Sequence, residues 1–149
     1  MSLRDTVMAG LMLGMIVAPV AAQDGVTFTQ HYVRLNGDTE ALLYKPTAKG
    51  PNNSIAVLYM HPNRDNLGSN IVSEMAERGY NALAVNFRGE DDYGRAFADS
   101  YLPPISEGLK WLREQPGIER VILLQHSGGT HIGTFYVNVA QNGPEACSD

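Results

Sequence analysis

Only one cysteine, Cys147, occurs in the 149 residues. A disulfide framework needs pairs and a cysteine zinc cluster needs several, so this sequence supports neither. Basic residues are scarce as well: Lys and Arg total 11 against 16 acidic residues, for a net charge of −5. With no basic run and no aromatic platform, nucleic acid is not an expected partner. The apolar run at residues 7–17 is interrupted by glycines and is too short to span a bilayer. No internal repeat, low-complexity tract or linker divides the chain. Metal and cofactor patterns are missing too. His61, His126 and His131 match no zinc spacing. Residues 89–94 (GEDDYG) are acidic but lack the alternating ligands of a calcium loop. Gly128 and Gly133 have the spacing of a phosphate loop, but Thr134 stands where that loop requires lysine. No cofactor and no metal is therefore expected.

The first segment has a purpose of its own. Arg4 precedes the apolar run, and Ala18-Pro19-Val20-Ala21-Ala22 follows it with small residues. Charge, apolar run and small residues in that order predict a signal peptide over residues 1–22, cleaved after Ala22. The protein is then exported, to a periplasmic or extracellular place, with no stable membrane insertion after cleavage. Cleavage removes one basic and one acidic residue, leaving the net charge at −5 and 127 of the 149 residues. That length suits one domain with a modest core.

The remainder divides by hydrophobic pattern. Residues 26–35 alternate and are rich in β formers, which predicts a strand. Asn36-Gly37-Asp38 supplies a hairpin turn, and residues 40–45 make the return strand, stopped by Pro46. Residues 55–60 (IAVLYM) are continuously apolar, as in a strand covered on both faces. Ile71, Val72, Met75 and Ala76 form one helical stripe, ended at Arg78-Gly79. Residues 82–85 and 121–124 are two more apolar strands. Between them Pro103-Pro104 opens a predicted helix whose inner face carries Ile105, Leu109 and Leu112. A last helix is expected from about Thr130 to Gln141, stopped at Asn142-Gly143-Pro144. Strands alternating with helices predict a parallel sheet and an α/β fold. The expected architecture is a three-layer α/β/α sandwich, mostly parallel, led by an antiparallel hairpin.

Ligands of open α/β sheets sit at the carboxyl ends of the strands. Two polar segments fall there: His61-Pro62-Asn63-Arg64-Asp65 and Gln125-His126-Ser127-Gly128-Gly129. A serine hydroxyl becomes a nucleophile when it is presented sharply, deprotonated by a neighbour and faced by oxyanion donors. A tight turn between strand and helix presents it, and small residues two before and two after relieve the crowding. Gly129 meets the second need; Gln125 does not meet the first.

Taken in order, four segments resemble the N-terminal half of an α/β-hydrolase. They are His61-Pro62, Arg78-Gly79-Tyr80, Asn86-Phe87-Arg88-Gly89 and His126-Ser127-Gly128-Gly129. The resemblance covers essentially the whole mature chain, residues 23–149. It implies a truncated α/β-hydrolase fold and a serine hydrolase acting on a small-molecule ester or related acyl substrate through an acyl-enzyme. It gives Ser127 the role of nucleophile and the Gly128 N–H that of an oxyanion donor. The second donor would come from the loop at His61; Pro62 has no N–H, so Asn63 is the candidate, with Arg64 behind it. The dipole of the following helix would favour negative charge at the same place.

The sequence departs from the family pattern twice. Gln125 stands where the family usually has glycine, so its side chain must find room against the following helix. The family also places its acid and histidine after the nucleophile. Here only Glu145, Asp149 and His131 follow, and His131 opens a packing helix. His126 points away in the turn, His31 belongs to the hairpin, and the family's counterpart of His61 supports its loop. No base is found, so the chain is expected to be a fragment, inactive alone, with further strands and the base encoded downstream. The strand at residues 121–124 is then left at an exposed edge, an aggregation hazard. The alternative is a non-catalytic binding or interaction protein of hydrolase shape. The sequence does not speak to oligomeric state.

Overall fold

A computed structural model of the protein describes residues 26–36, 39–62, 64–87 and 97–143, without the side chains of 97–99. The expected signal segment 1–22, Asn63, Arg88, Glu145, Cys147 and Asp149 lie outside the described residues. Eight elements follow in order: β1 Phe28–Arg34, β2 Glu40–Pro46, β3 Ile55–Met60, α1 Asn70–Glu77, β4 Asn81–Val85, α2 Phe97–Arg113, β5 Arg120–Gln125 and α3 Gly128–Asn142.

The five strands form one sheet in the order β1-β2-β4-β3-β5. β1 and β2 pair antiparallel, and β2 pairs antiparallel with β4, Leu43 opposite Leu83. β3 pairs in parallel with β4 and with β5. The sheet is therefore mixed, with two antiparallel and two parallel ladders, rather than mostly parallel. The difference arises because the hairpin does not merely precede the parallel strands. Its inner strand docks on β4, where Ala41, Leu43 and Tyr44 become buried.

Buried strands carry the core. All five residues of β4 are buried, as are five of the six in β3. One apolar cluster joins Leu58 and Met60 of β3 to Leu43, Leu83 and Val85, with Ile105, Leu109 and Leu112 of α2 and Ile132 of α3. The other joins Tyr44, Tyr59, Ala82 and Ala84 to Val72 and Ala76 of α1. Leu58 and Tyr59 are adjacent in a strand, so they point to opposite faces. α1 thus covers one face, while α2 and α3 pack on the other. Gly108 brings α2 close: a Cβ there would lie 2.3 Å from Leu58 Cδ1 and 3.2 Å from Val85 Cγ2.

Helix boundaries follow from backbone chemistry. α1 ends in a Schellman arrangement: Gly79 has φ +88°, its N–H bonds the carbonyl of Ala76, and the Tyr80 N–H bonds that of Met75. α2 starts six residues before the expected proline opening and holds Pro103 and Pro104 inside it. Its buried face reaches back to Tyr101, one turn before Ile105, and Tyr101 meets the edge of Phe87 at 4.2 Å between ring centroids. Packing of Tyr101 against Phe87 favours helix ahead of the prolines despite two missing amide donors. β5 is half-buried: Val121 and Leu123 pack on the α2 face, while Ile122 is 42% exposed on the other. Among the described residues its one ladder partner is β3. The expected burial of this strand on both faces is seen only in part: α1 lies over β2 and β4, so on its side of the sheet Leu124 still packs against the cluster around Tyr59 while Ile122 is left uncovered.

Candidate functional site

Two loops meet at the carboxyl ends of β3, β4 and β5. The first follows β3 and is organised by Asn66, which is fully buried. Its Oδ1 accepts the N–H of His61 at 3.0 Å. Its Nδ2 donates to the carbonyls of His61 and Val85, each at 3.0 Å. Its own N–H donates to Asn86 Oδ1 at 2.8 Å, and Asn86 Nδ2 donates to Asp65 at 3.0 Å. One side chain thus ties the end of β3 to the end of β4. The sequence gives no warning, because Asn66 and Asn63 look alike in a polar loop. The Asn86 amide, then the Leu67 N–H, hold the Asp65 carboxyl below its usual range. The Leu67 carbonyl in turn accepts the Tyr44 hydroxyl at 2.6 Å, and burial raises that phenol.

The second loop is the bend from β5 into α3. Ser127 has φ 52° and ψ −126°, and it is the one non-glycine residue with positive φ among those described. Such a backbone costs about 1–3 kcal/mol and persists only where its surroundings fix it. Here they do. The Gly129 N–H bonds the His126 carbonyl and the Thr130 N–H bonds the Ser127 carbonyl, both at 2.9 Å. A Cβ on Gly129 would lie 2.7 Å from the Met60 carbonyl oxygen, so only glycine lets α3 approach β3 this closely.

The Ser127 side chain is exposed and makes no cap hydrogen bond to α3, the ordinary duty of a serine at a helix start. Among the described residues nothing accepts the N–H of Gly128, the first residue of α3. Of the expected oxyanion pair, Gly128 is therefore placed next to the serine, while Asn63 is outside the described residues. Arg64 is exposed.

Two of the four histidines come together at the sheet rim and two stand apart. His61, half-buried, meets the Pro62 carbonyl through Nδ1. Its ring lies 5.9 Å from that of His126, between centroids. His131 is exposed on α3, and His31 bonds Thr29 on the outer strand β1 at 2.8 Å. No imidazole among the described residues is hydrogen-bonded to Ser127. No three acidic, histidine or cysteine side chains among them gather as metal ligands. No helix among them is long and apolar enough to cross a membrane.

Gln125, the residue with no obvious room, finds it on α3. A Cβ on Gly133 would lie 2.5 Å from its Cδ and Nε2. The long side chain is bedded on a bare α-carbon one turn past the bend.

No protein-family model matches the sequence, and no curated protein matches it. Solved structures do resemble the fold. Brefeldin A esterase, described as a bacterial homologue of human hormone-sensitive lipase, matches with a TM-score of 0.60 at 14% identity, over 89% of this chain. A hypothetical protein from Pseudomonas aeruginosa matches with a TM-score of 0.57 at 18% identity, over 80% of this chain. The chain spans 41% of the length of each. At these identities the likeness concerns the fold alone: a mixed five-stranded sheet with three helices, α/β-hydrolase-like and distantly similar in structure to an esterase.

Proposed function

We propose that this chain carries the nucleophile side of a serine hydrolase site, with Ser127 attacking the carbonyl of an ester or related acyl substrate. The observation that carries the proposal is the Ser127 backbone at φ 52°, ψ −126°, with the residue exposed and its hydroxyl not spent on capping α3. In the proposed reaction the Ser127 Oγ bonds to the acyl carbon and its proton passes to a base. The carbonyl oxygen becomes an anion that accepts the Gly128 N–H, and Asn63 is proposed as the second donor. Collapse expels the alcohol, which takes a proton, and water then releases the acid and restores the serine. The base and acid are assigned to polypeptide outside the described residues. Removing a base slows such chemistry by several orders of magnitude, so Ser127 reacts only where that base is supplied. The three-layer α/β/α arrangement, the signal peptide over residues 1–22 and export belong to the same proposal.

A second reading is a binding protein of hydrolase shape. What favours it is that no described imidazole engages Ser127. The test is covalent labelling of the full protein with a fluorophosphonate. Labelling that disappears in Ser127→Ala supports the hydrolase, and labelling that survives the substitution overturns the assignment. A folded parent protein that is never labelled supports the binding protein.

A further inference from the structure

Gly129 and Gly133 are four residues apart and so lie on one face of α3. Each is a point where the helix bears on a strand end. A Cβ on Gly129 would strike the Met60 carbonyl oxygen at 2.7 Å. A Cβ on Gly133 would strike Gln125 at 2.5 Å from Cδ and Nε2 and at 2.8 Å from Cγ. Met60 and Gln125 are register partners, the last residues of β3 and β5. The helix therefore rests on two adjacent strand ends: on backbone at one and on a side chain at the other. Between Gln125 and Gly133, and bridged by their contact, lies the bend that holds Ser127 at positive φ.

We infer that Gln125 is a positioning residue for Ser127: its side chain fills the gap that Gly133 leaves between β5 and α3 and so sets the geometry of the bend. The inference rests on Ser127 being the nucleophile. A small residue two before the serine makes room by being absent; Gln125 does the opposite, and the room is made on the helix. A glutamine that were merely tolerated would turn away to water. This one is half-buried, with three of its atoms close against the helix. Strained backbone persists only where neighbours over-determine it. Removing the wedge leaves a void into which α3 settles, and Ser127 moves with the helix it precedes.

The test is a double-mutant cycle on the full protein: parent, Gln125→Ala, Gly133→Ala and the pair. Two quantities are read, the urea midpoint and the rate at which a fluorophosphonate labels Ser127 per folded molecule. Each single change should slow labelling roughly tenfold or more. The pair should regain most of that loss, because the methyl added at position 133 occupies space the glutamine left; a tenfold coupling corresponds to about 1.4 kcal/mol. Gln125→Met, of similar reach and able to fold, should keep the rate within about threefold of the parent. Labelled parent protein with an undiminished rate in Gln125→Ala overturns the positioning role alone, whatever happens to the urea midpoint. A parent that is not labelled overturns the nucleophile assignment and this role with it, while coupling in the urea midpoints still reports the packed pair.

Discussion

Replacing Asn66 by alanine should cost the protein about 3 kcal/mol. Its buried side chain makes three hydrogen bonds: a part-buried one accepted from the His61 N–H, a part-buried one donated to the His61 carbonyl, and a buried one donated to the Val85 carbonyl. Each contributes about 1 kcal/mol net, and a partner left buried and unsatisfied costs a further 1–3 kcal/mol where water cannot reach it. Alanine opens some access for water, so the sum of the three net terms is the working figure. It is a large share of the roughly 5–15 kcal/mol that stabilises most domains. The assay is urea unfolding, with the loss taken from the midpoint shift at constant slope. Asn142→Ala serves as the control. It removes one exposed bond to Asn138 and should stay within about 0.5 kcal/mol of the parent. Asn66→Asp should not restore stability, because a carboxylate keeps the acceptor but faces two carbonyl oxygens. A loss below about 1 kcal/mol for Asn66→Ala would refute the claim that this side chain ties β3 to β4.

Three further outcomes follow from the geometry. Gly129→Ala should destabilise by about 1–3 kcal/mol in the same urea assay, since the methyl meets the Met60 carbonyl and the helix must back away; a neutral effect refutes the close approach. Burial raises the Tyr44 phenol above 10.0, so its contribution is complete below pH 10 and fades as pH climbs through the folded value. Tyr44→Phe should cost about 1 kcal/mol at neutral pH and flatten the alkaline fall in stability. The Asp65 carboxyl is lowered from 3.8, so what it adds is complete above that pH and is lost as acid titrates it in the fold. Asp65→Ala should make the acid limb shallower below about pH 4, and an unchanged limb removes its hydrogen bonds from the account.

Some of this molecule is legible in the sequence. The continuous apolar runs of β3 and β4 announce strands covered on both faces, and they are buried. Ile105, Leu109 and Leu112 fall on the inner face as their spacing requires. The turn at Ser127 is recognisable from the glycines after it. What escapes depends on distant partners. The start of α2 is hidden because two prolines look like a helix opening, whereas the decisive contact, Tyr101 on Phe87, joins residues 14 apart. The burial of β5 depends on what lies across the sheet from Ile122, which its own run of apolar letters does not encode. Asn66 differs from its neighbours only in where the fold places it. Gln125 looks misplaced until α3 brings Gly133, eight residues later, against it.

The amide of His61 illustrates what a buried asparagine does to a loop in time. Loop amides ordinarily exchange with deuterium through small local openings. This one is bonded to Asn66, whose amide also reaches the Val85 carbonyl at the end of β4, so moving that side chain to free it disrupts the strand end as well. Its exchange should therefore be as slow as that of the neighbouring strand amides, and the rim of the sheet keeps its shape for as long as the core does.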